Sequence, residues 1–505
     1  MKNPVSRRRF LGSVGGTVAA GELGFLSGLP VVSAQEVRGG GAVKLRGEIE
    51  PVVRLLEETA RERLLEEFGA RVKAGTLSYR EILSALQLAG VRNIQPRPVG
   101  FKFHAVLVVN SAHLAAMAGP AQDRWLPIFW ALDQFKSSQA RDVQEGDWTM
   151  AAVDEGKVPA AHKAKRAFVS AMENWDEAAA DVAAAGFVRG VGAHEVFEVF
   201  ARLGARDWRD IGHKAIYVAN SWRALQAMGW EHAEPVLRSL AYALLMHEGD
   251  NPAERDAEVD RPWRQNLERA KEIPRNWRSG TNDRDAAWSL MAVLREGSPE
   301  DASEKVVSLL QSGVGPQAIW DVLMECGGEL LMRVPGILTL HSLTTLNALY
   351  FAYRTVGSDE TRKMMLLQAA AFLPFFRREP EEVQKGGARI DGVVAAGEVP
   401  GGEQAALESI FADVSGNKKE AARKVLGFCQ GSGERGRAFV DEARRYLFLK
   451  GNNSHDYKFT SAVLEDYGNV SPVVRDRFLA ASVFNLKGSG SKDSGLVGRT
   501  RAALG

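Results

Sequence analysis

The segment GHKAIYVANS, residues 212–221, decides the fold class, because it is apolar on nearly every side of a helix. Two other segments repeat its pattern, FHAVLVVNS at 103–111 and LHSLTTLNA at 340–348. Each has a histidine near the start of an apolar stretch and an asparagine six or seven residues after that histidine. A helix that is apolar all round is buried inside a protein. The three segments therefore predict buried helices that each begin near a histidine.

Most of the chain outside these segments also shows the helical spacing of apolar residues. Capping signals mark helix starts, as where Ser78 is followed three residues later by Glu81. Long β-branched runs with strict alternation are absent from the sequence, so few strands or none are expected. The predicted fold class is all-α, a large multi-helix domain whose apolar helices converge on a buried histidine cluster.

Composition narrows the class of protein. The 505 residues include 64 Lys and Arg against 63 Asp and Glu, a formal net charge of +1. Nucleic-acid-binding proteins usually carry a strong basic excess, so no nucleic-acid partner is expected. The 45% hydrophobic and 25% charged residues are typical of a soluble globular protein. The two cysteines, Cys326 and Cys429, lack the spacing of a zinc site, which argues against a thiolate metal cluster.

The N-terminus has the features of an export signal. Residues 6–12, SRRRFLG, place an arginine pair before a weakly apolar, glycine-rich stretch, and VSA at 32–34 is a small-residue cleavage site. Residues 1–34 are therefore predicted to be a signal peptide for the twin-arginine translocase, with a periplasmic or otherwise exported mature protein. The glycines and Glu22 make this stretch a poor permanent membrane anchor. A disordered basic N-terminus is the alternative.

Composition also divides the rest of the chain. Residues 35–47 are predicted to be a Gly-rich linker, and residues 486–505 a low-complexity basic tail on the surface. Residues 48–485 form the all-helical domain. Two helical halves, joined near residues 250–282, are an open alternative, because that segment is charged and interrupts the apolar pattern.

The segment GNNSHDYKF, residues 451–459, contributes a fourth histidine, His455, and a lysine three residues later, Lys458. This spacing puts both side chains on the same face of a helix. A lysine buried beside histidines has a lowered pKa, because desolvation disfavours its ammonium form. Its neutral amine can react with carbon dioxide to give a carbamate, which binds metals as a carboxylate does. The alternative is a Lys458 that extends to the surface and pairs with Asp456 or Glu465.

The four segments together supply a candidate set of metal ligands. The set is His104, His213, His341, His455 and Lys458. Imidazole binds iron, zinc, copper and nickel, so the ligand type does not choose the metal. Four histidines and one anionic oxygen would leave one octahedral position open, which suits a redox metal better than four-coordinate zinc. The alternative is a helical array whose repeats share histidines that are satisfied within the core.

The second ring nitrogen of each metal-binding histidine needs a partner that fixes its tautomer. The candidate partners are Asn110, Tyr217, Asn220, Thr344 and Asn347, and the last four are also the candidate catalytic residues.

The four segments resemble the questin oxidase-like family of all-helical proteins. Its members show an early histidine, a histidine-bearing helix in the middle, a His-x-x-Thr segment and a late His-x-x-Lys. The matching residues are His104, His213, His341 with Thr344, and His455 with Lys458. The resemblance spans most of the mature chain as an order of motifs. It implies oxidation of polycyclic aromatic or quinone-like molecules with ring opening, and a non-haem iron held by histidines with a modified lysine.

The function predicted is that of an exported oxidoreductase that acts with dioxygen on an aromatic or quinone-like small molecule. Non-haem iron is the expected cofactor, and other divalent metals stay open. One alternative is an exported hydrolase, in which the metal lowers the pKa of a bound water. Another is a helical scaffold or binding protein without catalysis. Convergence of the four histidines on one point would favour the metal-dependent alternatives.

Overall fold

The computed structural model describes residues 41–378, 382–383, 387–398 and 400–505. Within these ranges the protein contains twenty-two α-helices, several short 3-10 turns and no β-strand, and its extended pairing is limited to two isolated bridges. The predicted all-α class is confirmed. The predicted signal peptide, residues 1–34, lies outside the described residues.

The helices are numbered here in chain order. The first eleven are α1 (Glu50–Glu58), α2 (Arg61–Lys73), α3 (Tyr79–Asn93), α4 (His104–Ala118), α5 (Trp125–Gln144), α6 (Ala161–Glu173), α7 (Glu177–Gly190), α8 (Ala193–Gly204), α9 (His213–Met228), α10 (Ala233–Leu244) and α11 (Arg261–Glu272). The other eleven are α12 (Arg284–Glu296), α13 (Pro299–Gln311), α14 (Pro316–Arg333), α15 (Ile337–Thr355), α16 (Asp359–Arg378), α17 (Gly402–Gly416), α18 (Lys418–Cys429), α19 (Gly433–Lys450), α20 (Ser454–Asn469), α21 (Pro472–Ser482) and α22 (Leu496–Leu504).

Four helices form the centre of the protein: α4, α9, α15 and α20. Each packs against two of the others, so that they make a closed ring in the order α4, α9, α15, α20. Most residues of α9 and α15 are buried, as their all-round apolar sequences predict. The segment Phe101–Ala118, which includes α4, is long and apolar enough to span a membrane by length and composition, and 72% of it is buried inside the protein.

The four central helices run in the same direction. Residues that are equally far from the starts of their helices contact one another. For example, the hydroxyl of Ser461 in α20 donates to the carbonyl of Ser111 in α4 at 2.8 Å, and each is the eighth residue of its helix. Likewise Nδ2 of Asn110 in α4 donates to Oδ1 of Asn220 in α9 at 3.2 Å. All four helices therefore start at the same end of the ring, and that end carries the functional candidates.

The two ends of the described chain differ from the sequence-based expectation. The last residues of the predicted linker pair with another segment, since the amide of Val43 donates to the carbonyl of Met150 at 2.8 Å. The predicted surface tail ends in helix α22, which packs against α2 and buries Thr500. Arg499 of this helix pairs with Glu66 at 3.0 Å. Docking onto α2 supplies the packing that a short helix of low-complexity sequence cannot supply by itself.

The charged segment at 251–282 contains α11, which packs against α13 and α16. Its Trp277 is buried and donates from its indole to the carboxylate of Asp359 at 2.8 Å. Asn266 is also buried and donates to Gln368 at 2.8 Å. These contacts anchor the segment to the helices that follow it in the chain.

Candidate metal centre

The four predicted histidines meet at the common start of the central helices. Their ring centroids are separated by 5.0 Å for His104–His213, 4.4 Å for His213–His341, 5.2 Å for His341–His455 and 4.6 Å for His455–His104. The imidazoles therefore form a closed circle that follows the circle of helices. Lys458 completes the cluster, with its Nζ 3.3 Å from Nε2 of His341.

The same backbone arrangement positions His104 and His213. Each is the first residue of its helix and follows a short 3-10 turn. Nδ1 of His104 lies 2.9 Å from the carbonyl oxygen of Phe101, and Nδ1 of His213 lies 2.6 Å from that of Asp210. Phe101 and Asp210 both have a φ of 53°, in the left-handed region that non-glycine residues rarely adopt. Such conformations cost about 1–3 kcal/mol each and persist only where the surrounding structure enforces them.

His341 and His455 lie inside the first turn or two of their helices. Nδ1 of His341 is 2.5 Å from the carbonyl oxygen of Ile337, the first residue of α15. His455 is the second residue of α20, and its Nε2 is buried without a hydrogen-bond partner. A buried polar atom without a partner is costly, so this nitrogen fits the role of a metal ligand.

The hydrogen bonds determine which ring nitrogens carry protons. A carbonyl oxygen can only accept, so Nδ1 donates in His104, His213 and His341, and Nε2 of each keeps a lone pair. Nε2 of His104 and Nε2 of His213 are only 3.1 Å apart. Two lone pairs at this distance repel unless a proton or a metal ion lies between or beside them. Two nitrogens bound to one metal at about 2.0–2.1 Å would themselves be about 3 Å apart.

Protonation of the cluster is strongly disfavoured. Burial, followed by the charge of Lys458, holds the pKa of His104, His213 and His341 well below the usual range. The same two causes lower the pKa of His455 to about 3. The positive ends of four helix dipoles at the cluster also disfavour an imidazolium. The imidazoles are therefore neutral, which is the form that binds metal ions.

A buried group of three histidines that could hold a metal ion is present in the described structure. The ligand atoms of His104, His341 and His455 all lie within 4.8 Å of one another. His213 is not a member of that mutually close set, yet its Nε2 is the nearest ligand atom recorded for His104. Two nitrogens bound to one metal at about 2.1 Å are at most about 4.2 Å apart, so His213 could join the other three histidines on one ion only if side chains shifted.

Lys458 is buried in the cluster and does not extend to the surface. It is 3% exposed, and burial lowers its pKa to about 7. The two acids that were its alternative partners pair elsewhere, Asp456 with Lys487 at 2.9 Å and Glu465 with Arg223 at 2.7 Å. The group of mutually close ligand atoms in the described residues consists of histidines alone, without Asp or Glu. A divalent metal bound here would therefore lack an anionic ligand from Asp or Glu.

One glycine, Gly100, allows a loop to approach the imidazoles closely, and a second, Gly212, allows the turn before His213 to approach Thr345. A Cβ at Gly100 would lie 3.4 Å from Cε1 of both His104 and His213. Gly212 has a φ of 84°, and a Cβ there would lie 2.1 Å from Oγ1 of Thr345. Backbone, and not side chains, therefore covers the cluster next to the His104–His213 pair.

Side chains were predicted to fix the tautomer of each imidazole. For His104, His213 and His341 this prediction is wrong, because backbone carbonyls accept from Nδ1 of all three. The hydroxyl of Tyr217 donates to Ser239 at 2.9 Å, and Nδ2 of Asn220 donates to the carbonyl of Leu107 at 2.9 Å. The asparagines lie six or seven residues beyond their histidines, or about 9–10 Å along the helix axis. Carbonyls in the histidine's own turn are much closer.

The two candidates on α15 also bond elsewhere. Nδ2 of Asn347 donates to Glu465 at 2.7 Å and to Asp466 at 3.0 Å. The hydroxyl of Thr344 is 3.4 Å from the carbonyl oxygen of His341, so it touches the backbone of a cluster residue and not its ring. A catalytic role for Tyr217, Asn220, Thr344 or Asn347 stays a prediction that these contacts do not support.

Sequence reasoning missed the carbonyls of Phe101, Asp210 and Ile337 and the close approach of Gly100. One signal could have indicated them: a glycine precedes every cluster histidine by at most five residues, at positions 100, 212, 336 and 451. Glycines repeated in this position indicate backbone that approaches another group closely.

A cavity of about 380 Å³ opens elsewhere in the described structure, with Arg46, Arg189, His232 and Arg238 among its lining residues. No residue of the histidine cluster lines it. We therefore place the candidate chemistry at the cluster, where the ligand atoms converge, and not at this cavity.

The chain matches no protein-family model, no curated protein and no solved structure. The resemblance to the questin oxidase-like family accordingly depends on the order of four motifs alone and stays a prediction.

Proposed function

We propose that the protein is a non-haem iron oxidoreductase that uses dioxygen to oxidise an aromatic or quinone-like small molecule. The observation that carries the proposal is the 3.1 Å separation between Nε2 of His104 and Nε2 of His213. Nδ1 of each residue donates a hydrogen bond to a backbone carbonyl, that of Phe101 for His104 and that of Asp210 for His213. Because the pKa values of both residues are lowered, both rings are neutral, as metal-binding imidazoles must be.

The ligand set favours a redox metal over zinc. Zinc sites usually have four ligands, and catalytic ones keep only three from the protein. Here three imidazoles have ligand atoms within 4.8 Å of one another, His213 lies beside His104 and the Lys458 amine lies beside His341. Up to five protein ligands would suit the higher coordination number of iron. A bound redox metal would supply the electron transfer that dioxygen needs and that amino-acid side chains do not readily provide.

Lys458 is the residue proposed to provide an anionic oxygen. With a pKa of about 7, a large fraction of its amine is neutral near neutral pH. A neutral amine adds to carbon dioxide: the N–C bond forms, one proton is released, and the carbamate carries one negative charge. This charge would offset part of the charge of a divalent metal in a site whose five residues include no carboxylate.

Apolar packing around the cluster supports oxygen chemistry, because it excludes water from reactive species. The ring of Phe103, next to His104, packs edge-on against Tyr217 with a centroid separation of 4.9 Å. The ring of Tyr457, next to Lys458, stacks on Trp130 at 4.0 Å. Both contacts are buried in the core.

Elemental analysis of the mature protein, purified without a histidine tag or chelator, tests the proposal. We expect about one iron per chain and oxygen uptake when quinones or phenols are added. Stoichiometric zinc would instead support a metal-dependent hydrolase. If the folded protein contains no metal and takes none up on reconstitution, the non-catalytic binding protein is the better account.

We also propose that the protein is exported by the twin-arginine translocase, on the basis of residues 6–12 and 32–34. This route carries folded proteins, so a metal could be inserted before export. Replacing Arg7 and Arg8 with lysine is expected to retain the protein in the cytoplasm, which cell fractionation measures. Equal periplasmic amounts of wild type and variant would contradict this proposal.

A further inference from the structure

Strained backbone is concentrated in the two turns that precede His104 and His213. Six non-glycine residues in the described part of the chain have a left-handed φ, and three of them are Phe101, Asp210 and Ile211. Ile211 has a φ of 49°, which is unfavourable for a β-branched residue. Such conformations persist only where other contacts enforce them, and they are concentrated at functional sites. The contacts that enforce these two turns are therefore candidates for a role in the metal centre.

The turn before His104 is held by a buried ion pair. Lys102, the middle residue of the turn, is 6% exposed, and its Nζ lies 2.7 Å from Oδ1 of Asp142 in helix α5. The carboxylate of Asp142 also accepts from the backbone amide of Gln95 at 2.9 Å and from that of Trp148 at 2.8 Å. Asp142 is 1% exposed. One buried carboxylate thus ties the turn to the backbone of two other segments.

A second buried carboxylate holds both ends of the turn before His213. Oδ1 of Asp207 accepts from the backbone amide of Arg209 at 2.9 Å, and Oδ2 accepts from Nζ of Lys214 at 3.0 Å. Arg209 is the first residue of the turn, and Lys214 follows His213 in the sequence. Both Asp207 and Lys214 are buried. Asp207 therefore closes a loop around the left-handed residues that bring the carbonyl of Asp210 to Nδ1 of His213.

We propose that Asp142 and Asp207 are positioning residues of the metal centre. Each holds the turn whose carbonyl accepts from Nδ1 of the neighbouring histidine, and so keeps Nε2 of that histidine free to bind a metal. Neither acid belongs to the histidine group that could hold the metal, so each acts through the backbone. The inference deepens the proposed function and rests on it, because the two acids serve the same metal centre.

The tautomers of the imidazoles test the inference without a metal. Long-range ¹H–¹⁵N correlation spectra of the metal-free protein identify the ring nitrogen that carries the proton. In the wild type, His104 and His213 are expected to carry it on Nδ1. Asp142→Asn should give a mixture of tautomers at His104 alone, because the new amide nitrogen donates where a carboxylate oxygen accepts. Asp207→Asn should do the same at His213 alone.

Titration with cobalt(II) measures the consequence for metal binding. Each Asn variant is expected to bind cobalt roughly 10–100-fold more weakly than wild type, as loss of an outer group that orients a metal ligand does. Lys102→Met and Lys214→Met remove the cation and keep the backbone bonds of the carboxylate. They are the second pair of variants where an Asn variant does not fold, and the same two changes are expected.

Glu325→Gln is the matched control for a buried ion pair. Glu325 is fully buried and pairs with Arg284 at 3.0 Å, and the helices of both residues lie outside the central ring. The variant should lose stability in urea as the two Asn variants do. Its imidazole tautomers and its cobalt affinity should equal those of wild type.

The outcomes separate the inference from the proposed function. If the wild type binds no cobalt, the proposed function fails, and the tautomers still decide whether the two acids position the imidazoles. Unchanged tautomers in the variants of Asp142 and Asp207 would overturn the inference, as would full cobalt affinity in both. Equal changes in Glu325→Gln would also overturn it, because any buried ion pair would then have the same effect.

Discussion

The two halves of the central ring are built differently. Helices α4 and α9 hold His104 and His213 through matching left-handed turns, and behind them lies an uncharged pair, Asn110 and Asn220. Helices α15 and α20 hold His341 and His455 together with groups that can ionise.

The ionisable groups of the second half begin with Lys458 at the cluster. Deeper between α15 and α20, Asn347 donates to Glu465 and to the buried Asp466. Burial, followed by the charge of Glu465, raises the pKa of Asp466 to about 7. The comparison indicates that backbone carbonyls fix the first pair of candidate ligands, His104 and His213, whereas Lys458 and Asp466, whose pKa values are shifted to about 7, lie beside the second pair. Helix α9 also carries a buried lysine, Lys214, whose pKa burial lowers to about 8, but its ammonium pairs with Asp207.

The largest effect is expected from removing either member of the fixed pair. His104→Ala and His213→Ala should each abolish stoichiometric metal binding, because each leaves its partner with one fewer neighbouring ligand. Metal content and cobalt titration measure this, with circular dichroism as the check on folding. His162→Ala, at an exposed histidine outside the cluster, is the control and should bind metal as wild type does. A His341→Ala variant that keeps its full metal content would also contradict metal binding by the histidine cluster.

A second substitution should move stability and metal affinity in opposite directions. Lys458→Met is expected to weaken metal binding by roughly 10–100-fold, as loss of a group that tunes a metal site does. The unfolded chain binds the Lys458 proton more tightly than the folded protein does, so wild-type stability falls as the pH decreases from 10.5 to about 7. Lys458→Met does not lose stability in this way. At pH 7 the metal-free variant should therefore be more stable than the metal-free wild type.

Titration with cobalt and urea denaturation at several pH values measure the two effects of Lys458→Met. Lys136→Met, at a half-buried lysine that bonds backbone carbonyls, is the control. Unchanged metal affinity in Lys458→Met would show that the second half of the ring does not contribute this group to the metal.

The pH dependence of Asp466 gives a third and smaller effect. Its carboxyl binds a proton more tightly in the folded protein than in the unfolded chain. Wild-type stability should therefore decline as the pH rises from 3.8 to about 7. Asp466→Asn removes this decline and should be more stable than wild type by about 1–2 kcal/mol at pH 8, with little difference at pH 4. Urea unfolding at pH 4 and at pH 8 measures the difference in unfolding free energy between Asp466→Asn and wild type. An equal difference at the two pH values would exclude titration of Asp466 in this range.

The smallest effect on stability is expected from the hydrogen bond between Asn110 and Asn220, which lies behind His104 and His213. Asn110→Ala removes the hydrogen bond to Asn220 and should cost about 1 kcal/mol of stability. Because amides do not titrate, the cost should be the same at pH 5 and at pH 8. A cost that changes with pH would break the contrast between this amide pair and the ionisable groups of α15 and α20.

The sequence was informative about the cluster because its signals are local. The repeated histidine at the start of an apolar stretch predicts where each imidazole lies in its helix, and the i, i+3 spacing puts Lys458 on the face of His455. All five residues do lie together in the structure. The asparagines repeat with the same regularity, yet they bond across the helices and not to the rings.

The sequence by itself therefore determined the all-α class, the buried histidine-bearing helices and the membership of the cluster. Only the tertiary structure decided the order of the helices in the ring, the backbone carbonyl that holds each imidazole and the docking of the last helix onto α2. The physical reason is that helix periodicity acts over a few residues. The ring order and the docking depend on contacts between distant parts of the chain, and the left-handed turns at Phe101 and Asp210 persist only because such contacts enforce them.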